Sequence, residues 1–358
     1  MSTPTNNAKI TPQQRAQLFG AATRQHWQML GTQTANGGSS TLSFRVPKVR
    51  LLQSVKLLVE ATINVKGSAA YTFTGLEPYA LLRRVQLDLN NGFAPVVASA
   101  EEIAMINLLK PNGAMIFPAA DDTTLCKVSN AKAWNAASGG TDNTIKFALD
   151  LPLTLNERDP VGLILAQNAE TAIDINCDIA NGGELVKHKD GYTVAIKEVK
   201  ITPMVCTFSV PASSAAFPDL SVLKIVDSRT EVFSGSGLKH VKLPTGQIYR
   251  KMIFAFADET GAPMTDDGIT SNLEITFNTA DVPYSVSPAM LRMVNKMQLG
   301  YELPKGVYAL PLDWQGIPNY GGSRDYIDSE SITELTLRFN SAAGGSVRII
   351  TEKLSRLK

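Results

Sequence analysis

"NTADVPYSVSPAMLRMVN", residues 278–295, restates a passage the chain has already used, "NNGFAPVVASAEEIAMIN", residues 90–107. Laid over each other without a gap, Asn90 falls on Asn278, Pro95 on Pro283, Ser99 on Ser287, Met105 on Met293 and Asn107 on Asn295. Both passages start a helix at the same aligned place by different chemistry. Ser99 and Glu102 form a capping box, whereas Ser287 is an N-cap followed by a proline at the first helical position. Ile103 and Ile106 then match Leu291 and Val294 as the inward face of a short helix.

The correspondence extends in both directions and keeps its order. "FRVPKVRLLQSVKLLV" from Phe44 matches "VKLPTGQIYRKMIFAF" from Val241, and "LPL" at 151–153 matches "LPL" at 310–312. "TAIDINCDI" from Thr171 matches "TELTLRFNS" from Thr333, and "TVAIKEV" from Thr193 matches "SVRIITE" from Ser346. The repeat unit is far longer than a solenoid or propeller period, so it is a duplicated domain. The offset falls from 188 at Asn90 and Asn278 to 159 at Pro152 and Pro311, a difference of 29 residues. The first repeat therefore carries a long inserted loop, residues 110–144, expected at the surface where irregular backbone keeps its hydrogen bonds to water.

Strict alternation sets the fold class. Ile145, Phe147, Leu149 and Leu151 alternate with Lys146, Ala148 and Asp150; Leu335, Leu337 and Phe339 alternate with Glu334, Thr336 and Arg338. Period two puts each apolar set on one face of a half-buried strand. Gly-, Pro- and Asn-rich turns separate such runs, which predicts an all-β chain of sandwiches or barrels. "PASSAAFPDL", residues 211–220, interrupts the alternation and is expected to cross between two complete sandwiches.

Composition narrows the partners. With 44% hydrophobic and 19% charged residues over 358 positions, the chain can bury a large core, and its formal charge of +1 favours neither nucleic acid nor membrane globally. Cys126, Cys177 and Cys206 form no C-x-x-C pair, which argues against a disulfide framework or a zinc site, and Cys177 and Cys206 sit in alternating strands as small core residues. No apolar run approaches the ~20 residues of a membrane span, and the N-terminus lacks a signal peptide's apolar segment.

Two tandem β-sandwiches related by duplication, a long loop in one, and a helical N-terminal arm resemble the double jelly-roll major capsid proteins of tailless icosahedral viruses, most of all those of tectivirus-type bacteriophages that enclose a membrane. The resemblance covers roughly residues 10–354 and rests on architecture and internal repetition. It implies an arm at 1–31, a first jelly roll at 32–210, a linker at 211–220 and a second jelly roll at 221–358. It further implies eight strands per roll and a homotrimer with hexagonal outline that tiles an icosahedral shell. The partners so implied are further copies of itself, minor capsid and vertex proteins, and an internal membrane reached through the arm, in a virion capsid whose subunits are made in the host cytoplasm.

The arm has its own pattern. "TPQQRAQLFGAATRQHWQMLG" opens with Thr11 as N-cap, Pro12 in the first turn and Gln14 at the reciprocal capping position, and a helix is predicted through to Gly31. Phe19, Ala22, His26, Trp27 and Leu30 follow helical spacing, with Arg15 and Arg24 outside the stripe. No acidic residue precedes Glu60, so the start of the chain is a basic patch. Such a helix either packs on its own first domain or reaches a neighbouring subunit or an anionic layer beneath the shell. In the second case Lys9, Arg15, Phe19, Arg24, Trp27 and Leu30 are the candidate contacts.

Signals of catalysis are weak. His26, His188 and His240 form no H-x-x-x-H pair, no G-x-S-x-G elbow exists, and "SGSGLKH" lacks a dinucleotide loop's third glycine. Asp258, Glu259, Asp266 and Asp267 could take a hard cation, and Asp121, Asp122, Asp325, Asp328 and Glu330 could in principle serve glycoside hydrolysis, but loops are where solvated carboxylates belong. Trp27, Trp134 and Trp314 are dispersed, without the basic and aromatic interleaving of a nucleic-acid groove. The expectation is a structural protein without catalytic residues, cofactor or metal, and without sequence-specific nucleic-acid binding. The alternatives are a tandem jelly-roll carbohydrate-binding protein or glycosidase, or a minor capsid or vertex protein.

Overall fold

Alternation becomes mostly antiparallel pairing in a computed structural model that describes residues 11–73, 76–90, 92–109, 133–154, 161–168, 170–186, 190–312 and 326–356. After helix α1 (Pro12–Ala22) come β1 (Gln25–Met29), β2 (Gln33–Asn36), β3 (Thr41–Arg45), β4 (Leu51–Lys66), β5 (Tyr71–Thr72), β6 (Leu82–Leu89) and β7 (Phe93–Ala98). Helix α2 (Ala100–Leu108) leads to β8 (Ala133–Trp134), β9 (Thr141–Pro152), β10 (Ile164–Leu165), β11 (Ile173–Ile179) and β12 (Thr193–Phe208). The second half contributes β13 (Val222–Phe233), β14 (Gly237–Leu243), β15 (Ile248–Asp258), β16 (Leu273–Phe277), β17 (Asp281–Val286), α3 (Pro288–Leu299), β18 (Val307–Pro311), β19 (Ile327–Asp328), β20 (Leu335–Ser341) and β21 (Gly345–Arg356).

The same weave occurs twice. In the second half β13-β21-β15-β18 faces β14-β20-β16-β17. In the first, β12 lies between β4 and the β1 and β2 segments, with β9 on the far side of β4, while β3-β11-β6-β7 forms the opposing layer. Each half thus has its last strand between its first and its third long strand, the pattern of a jelly roll. The inward residues of the second half, among them Phe254, Tyr308, Leu337, Phe339 and Ile349, form one closed apolar cluster.

Residues 211–220 connect β12 to β13 through a short 3-10 turn at Ser214–Ala216, and the two rolls meet edge to edge. One parallel bridge, Val96 to Val226, joins β7 to β13 and makes a nine-stranded sheet across both. The bridge is a single residue pair, and the interior of the second roll remains its own cluster. The inserted loop ends earlier than 144, because Thr141 already pairs with Val65. Just before it, Trp134 is buried and stacks on Tyr71 at 5.5 Å. Residues 110–132 of that loop lie outside the described residues.

Aligned residues do the same work in both halves. Asn90 and Asn278 both adopt left-handed backbone, φ 56° and 49°, the region that asparagine tolerates best after glycine. Each ties its turn to the start of a strand: Asn90 Oδ1 accepts from the Ala172 N–H at 2.7 Å, and Asn278 Oδ1 accepts from the N–H groups of Thr333 and Glu334 at 2.9 and 3.2 Å. The helix caps predicted at Ser99 and Ser287 are both formed.

The Cys177 thiol behaves as the alternation predicts, whereas Cys206 is buried on the outward side of β12 beside Trp27. Cys177 is fully buried, and burial first, then the nearby Asp178 carboxylate, pushes its pKa up to about 12. The native protein should therefore leave Cys177 unmodified by iodoacetamide at mildly alkaline pH, and peptide mapping should find it alkylated only after unfolding. Asn278→Ala should cost about 1–3 kcal/mol in urea unfolding, through lost hydrogen bonds and left-handed strain, and Asn278→Gly distinctly less because glycine keeps the conformation.

Candidate assembly surface

The N-terminal segment departs most from its expected form. The Thr11 hydroxyl accepts from the Gln14 N–H at 3.2 Å, and the Gln14 side chain returns a bond to the Thr11 N–H at 3.0 Å, so the capping box is as predicted. The helix then stops at Ala22 rather than running to Gly31. Thr23 turns extended, its N–H and hydroxyl both donating to the Phe19 carbonyl at 3.0 and 2.7 Å. Gln25–Met29 follows as strand β1, antiparallel to β12. An unpaired β12 edge would leave a row of backbone groups without partners, and that need outweighs a helical spacing that fits only loosely. The opening strand of the first roll is therefore drawn from residues assigned to the arm.

The candidate contacts consequently scatter over two elements instead of forming one helical stripe. Phe19 is 3% exposed, packed with Leu51 and Leu163 and edge-on to Phe208 at 5.2 Å, so it serves the chain's own interior. Leu30 is half-buried against the first core, and its N–H donates to the Pro203 carbonyl at 2.8 Å. Arg15 is half-buried and Arg24 exposed; Lys9 lies outside the described residues. Trp27 alone of the apolar candidates points out, 67% exposed.

Around Trp27 the strand register builds a surface that helical spacing could not disclose. Trp27 sits beside Cys206 and Ser54; Met29 beside Met204, Lys56 and Asp150; Thr202 beside Leu58 and Ala148. Cross-strand partners share a face, so these residues form the outward side of the β1, β12, β4 and β9 layer. Met29 is 68% exposed, and Leu58 is exposed as well. The period-two signal "QHWQM" was available in the sequence, but it is too short to prevail over a capped helix on its N-terminal side.

The equivalent layer of the second roll is covered. Val226, Ile253, Val307, Ala309 and Ile350 belong to the same apolar cluster as Ile103, Met105 and Leu109 at α2, not to the interior of their own roll. Arg348 on β21 pairs with Glu101 at 2.9 Å and Glu102 at 3.6 Å. Burial opposes the Arg348 charge, but the two carboxylates outweigh it and hold its pKa above the ordinary value. Glu352 is buried between Lys224 at 3.1 Å and Lys251 at 3.7 Å, and Lys224 also donates to the Thr154 carbonyl of the first half at 3.1 Å. Tyr301 donates its hydroxyl to the Leu108 carbonyl.

Several carboxylates elsewhere are engaged in local structure. A charged cleft of about 360 Å³ is lined by Arg83, Arg84, Glu101, Glu102, Glu184 and Arg348. Arg348 takes up Glu101 and Glu102, and Glu184 accepts from the Asn181 N–H in a capping box. Asp258 accepts from the Thr260 hydroxyl and from the Thr260 and Ala262 N–H groups, contacts that hold its pKa below the usual carboxylate range. Asp266 pairs with Arg292 at 2.8 Å and receives the Tyr308 hydroxyl. Asp328 accepts from the Glu330 N–H. Asp121, Asp122, Asp325, His188 and Trp314 lie outside the described residues. Among the described residues no group of three His, Cys, Asp or Glu could hold a metal, and no helix is long and apolar enough to cross a membrane.

Solved structures resemble most of the chain. The major capsid protein of Sulfolobus Turreted Icosahedral Virus superposes with a TM-score of 0.68 at 14% identity, covering 93% of this chain and 97% of that one. The fold is the double jelly roll. The PBCV-1 virus capsid shares it, with a TM-score of 0.63 at 11% identity over 93% of this chain and 94% of that one. So does the major capsid protein of bacteriophage PM2, with 0.54 at 10% identity over 94% and 98%. No family model matches the sequence, and no curated protein matches it by sequence.

The buried charge cluster beside the contact between the rolls can be tested directly. Glu352→Ala leaves Lys224 and Lys251 buried without their carboxylate and should cost about 3–5 kcal/mol in denaturant unfolding. Adding Lys224→Met should restore most of it; a single variant with wild-type stability would mean the site is open to water.

Proposed function

We propose that this protein is a structural subunit of a virus shell, a major capsid protein that associates as homotrimers of six jelly rolls and tiles an icosahedral capsid. The observation that carries this reading is the whole-chain likeness to viral capsid proteins across two tandem jelly rolls. On this reading the chain performs no chemistry, and burial of side surfaces between copies is its activity. The rolls are proposed at 32–210 and 221–358 with the linker at 211–220, the first roll also drawing its opening strand from 25–31. The basic start of the chain, Lys9, Arg15 and Arg24 with no acid before Glu60, suits an anionic inner surface such as a membrane, and the loop in 110–144 suits the exterior. Minor capsid and vertex proteins are the further partners.

Sedimentation velocity of the purified protein, with negative-stain imaging, tests the reading. It should give three chain masses and hexagonal particles. A monomer throughout the micromolar range, or a monomer that binds oligosaccharides, would overturn it.

A further inference from the structure

The duplication supplies a template for how two copies meet. Inside the chain, α2 and the outward layer of the second roll cover each other. From Glu102 to Leu109 every residue is buried, while Glu101 reaches Arg348, and Glu101 and Met105 flank Ala255 and Val307 across a narrow cleft. The offset of 188 carries Glu101, Met105 and Leu109 onto Ala289, Met293 and Met297 of α3. On α3 that side is bare: Met290 is 49%, Met293 48% and Met297 76% exposed, and only Pro288, Leu291 and Asn295 are buried.

The sheet side shows the converse. Ile253, Ala255, Val307 and Ala309, on the covered layer, correspond to Lys56, Leu58, Ala148 and Asp150 in the first roll. That layer is open, with Trp27, Met29 and Leu58 exposed and Lys56 balanced by Asp150 at 3.1 Å. Among the described residues the chain therefore holds a helix face without its sheet and a sheet face without its helix, each the counterpart of one half of a contact it already makes.

We infer that α3 of one copy docks its Met290, Met293 and Met297 stripe on the Trp27, Met29 and Leu58 face of the next copy. This rests on the self-association proposed above and names its interface. The chemistry suits both sides: unbranched thioethers adapt to an irregular surface and make favourable sulfur contacts with an indole ring, and the neutralised Lys56 and Asp150 pair adds no repulsion. Helix and sheet are different patches, so the contact repeats head-to-tail, and the three-fold rotation of the proposed trimer closes it as a ring.

Sedimentation velocity of exposed-residue variants tests this. Met297→Glu and Trp27→Glu should each weaken association roughly 30-fold or more, as loss of an interface anchor does, with far-UV circular dichroism unchanged, and Met297→Leu should leave association intact. A mixture of the Met297→Glu and Trp27→Glu proteins retains one intact helix face and one intact sheet face, and should form one-to-one dimers that neither forms alone. Should a variant unfold, bismaleimide cross-linking decides: a Met297→Cys chain mixed with a Met29→Cys chain should give heterodimers in a Cys126→Ser background, and neither chain alone should. A wild-type trimer that persists in both Glu variants, or no mixed cross-link, overturns the interface and leaves the capsid reading standing. A wild-type monomer overturns both.

Discussion

A β-layer has two faces, and the structure depends on how the second one is covered. Inside each roll the alternating residues of opposed layers close on one another. The outward face of β13-β21-β15-β18 is also apolar at Val226, Ile253 and Ile350, and α2 together with the first roll shields it. Because that shield comes from the other half of the chain, the two rolls are locked side by side. The Arg348 pairs with Glu101 and Glu102, and the bond from buried Lys224 to the Thr154 carbonyl, then fix the orientation, since a displaced partner would leave a charge unpaired away from water.

Duplication explains which features are paired and which diverge. Positions that set backbone geometry have kept their role, as Asn90 and Asn278 do in the left-handed region at matching turns. Positions on outer faces have diverged with their surroundings. Ile253 and Ala309 face a covering helix where the first roll has Lys56 and Asp150, an ion pair suited to a face that is open in the single chain. The insertion in the first half falls between α2 and β9, where it leaves both layers of that roll unbroken.

Most of the fold was legible because its signals are local and repeated. Alternation at 145–151 and 335–339 became β9 and β20, and Ser99 and Ser287 became helix caps. What escaped needed partners distant in sequence. Gln25–Met29 continues a helical spacing on paper, and only β12, far along the chain, makes it a strand. The bridge from Val96 to Val226 has no sequence pattern at all, being one residue pair between two rolls. Phe19 illustrates the same limit from the other side: its stripe was visible, but the chain's own Leu51, Leu163 and Phe208 had the first claim on it. Met29 and Leu58 emerge as surface residues only once the register places them beside Trp27.

High-resolution cryo-electron microscopy of the assembled protein would show whether one contact, used once within the chain, is used again between chains. Three copies should sit about a three-fold axis, with α3 of each lying across the β1, β12, β4 and β9 layer of its neighbour as α2 lies across the second roll. A two-fold dimer, or a trimer in which α3 and Trp27 both face solvent, would contradict it.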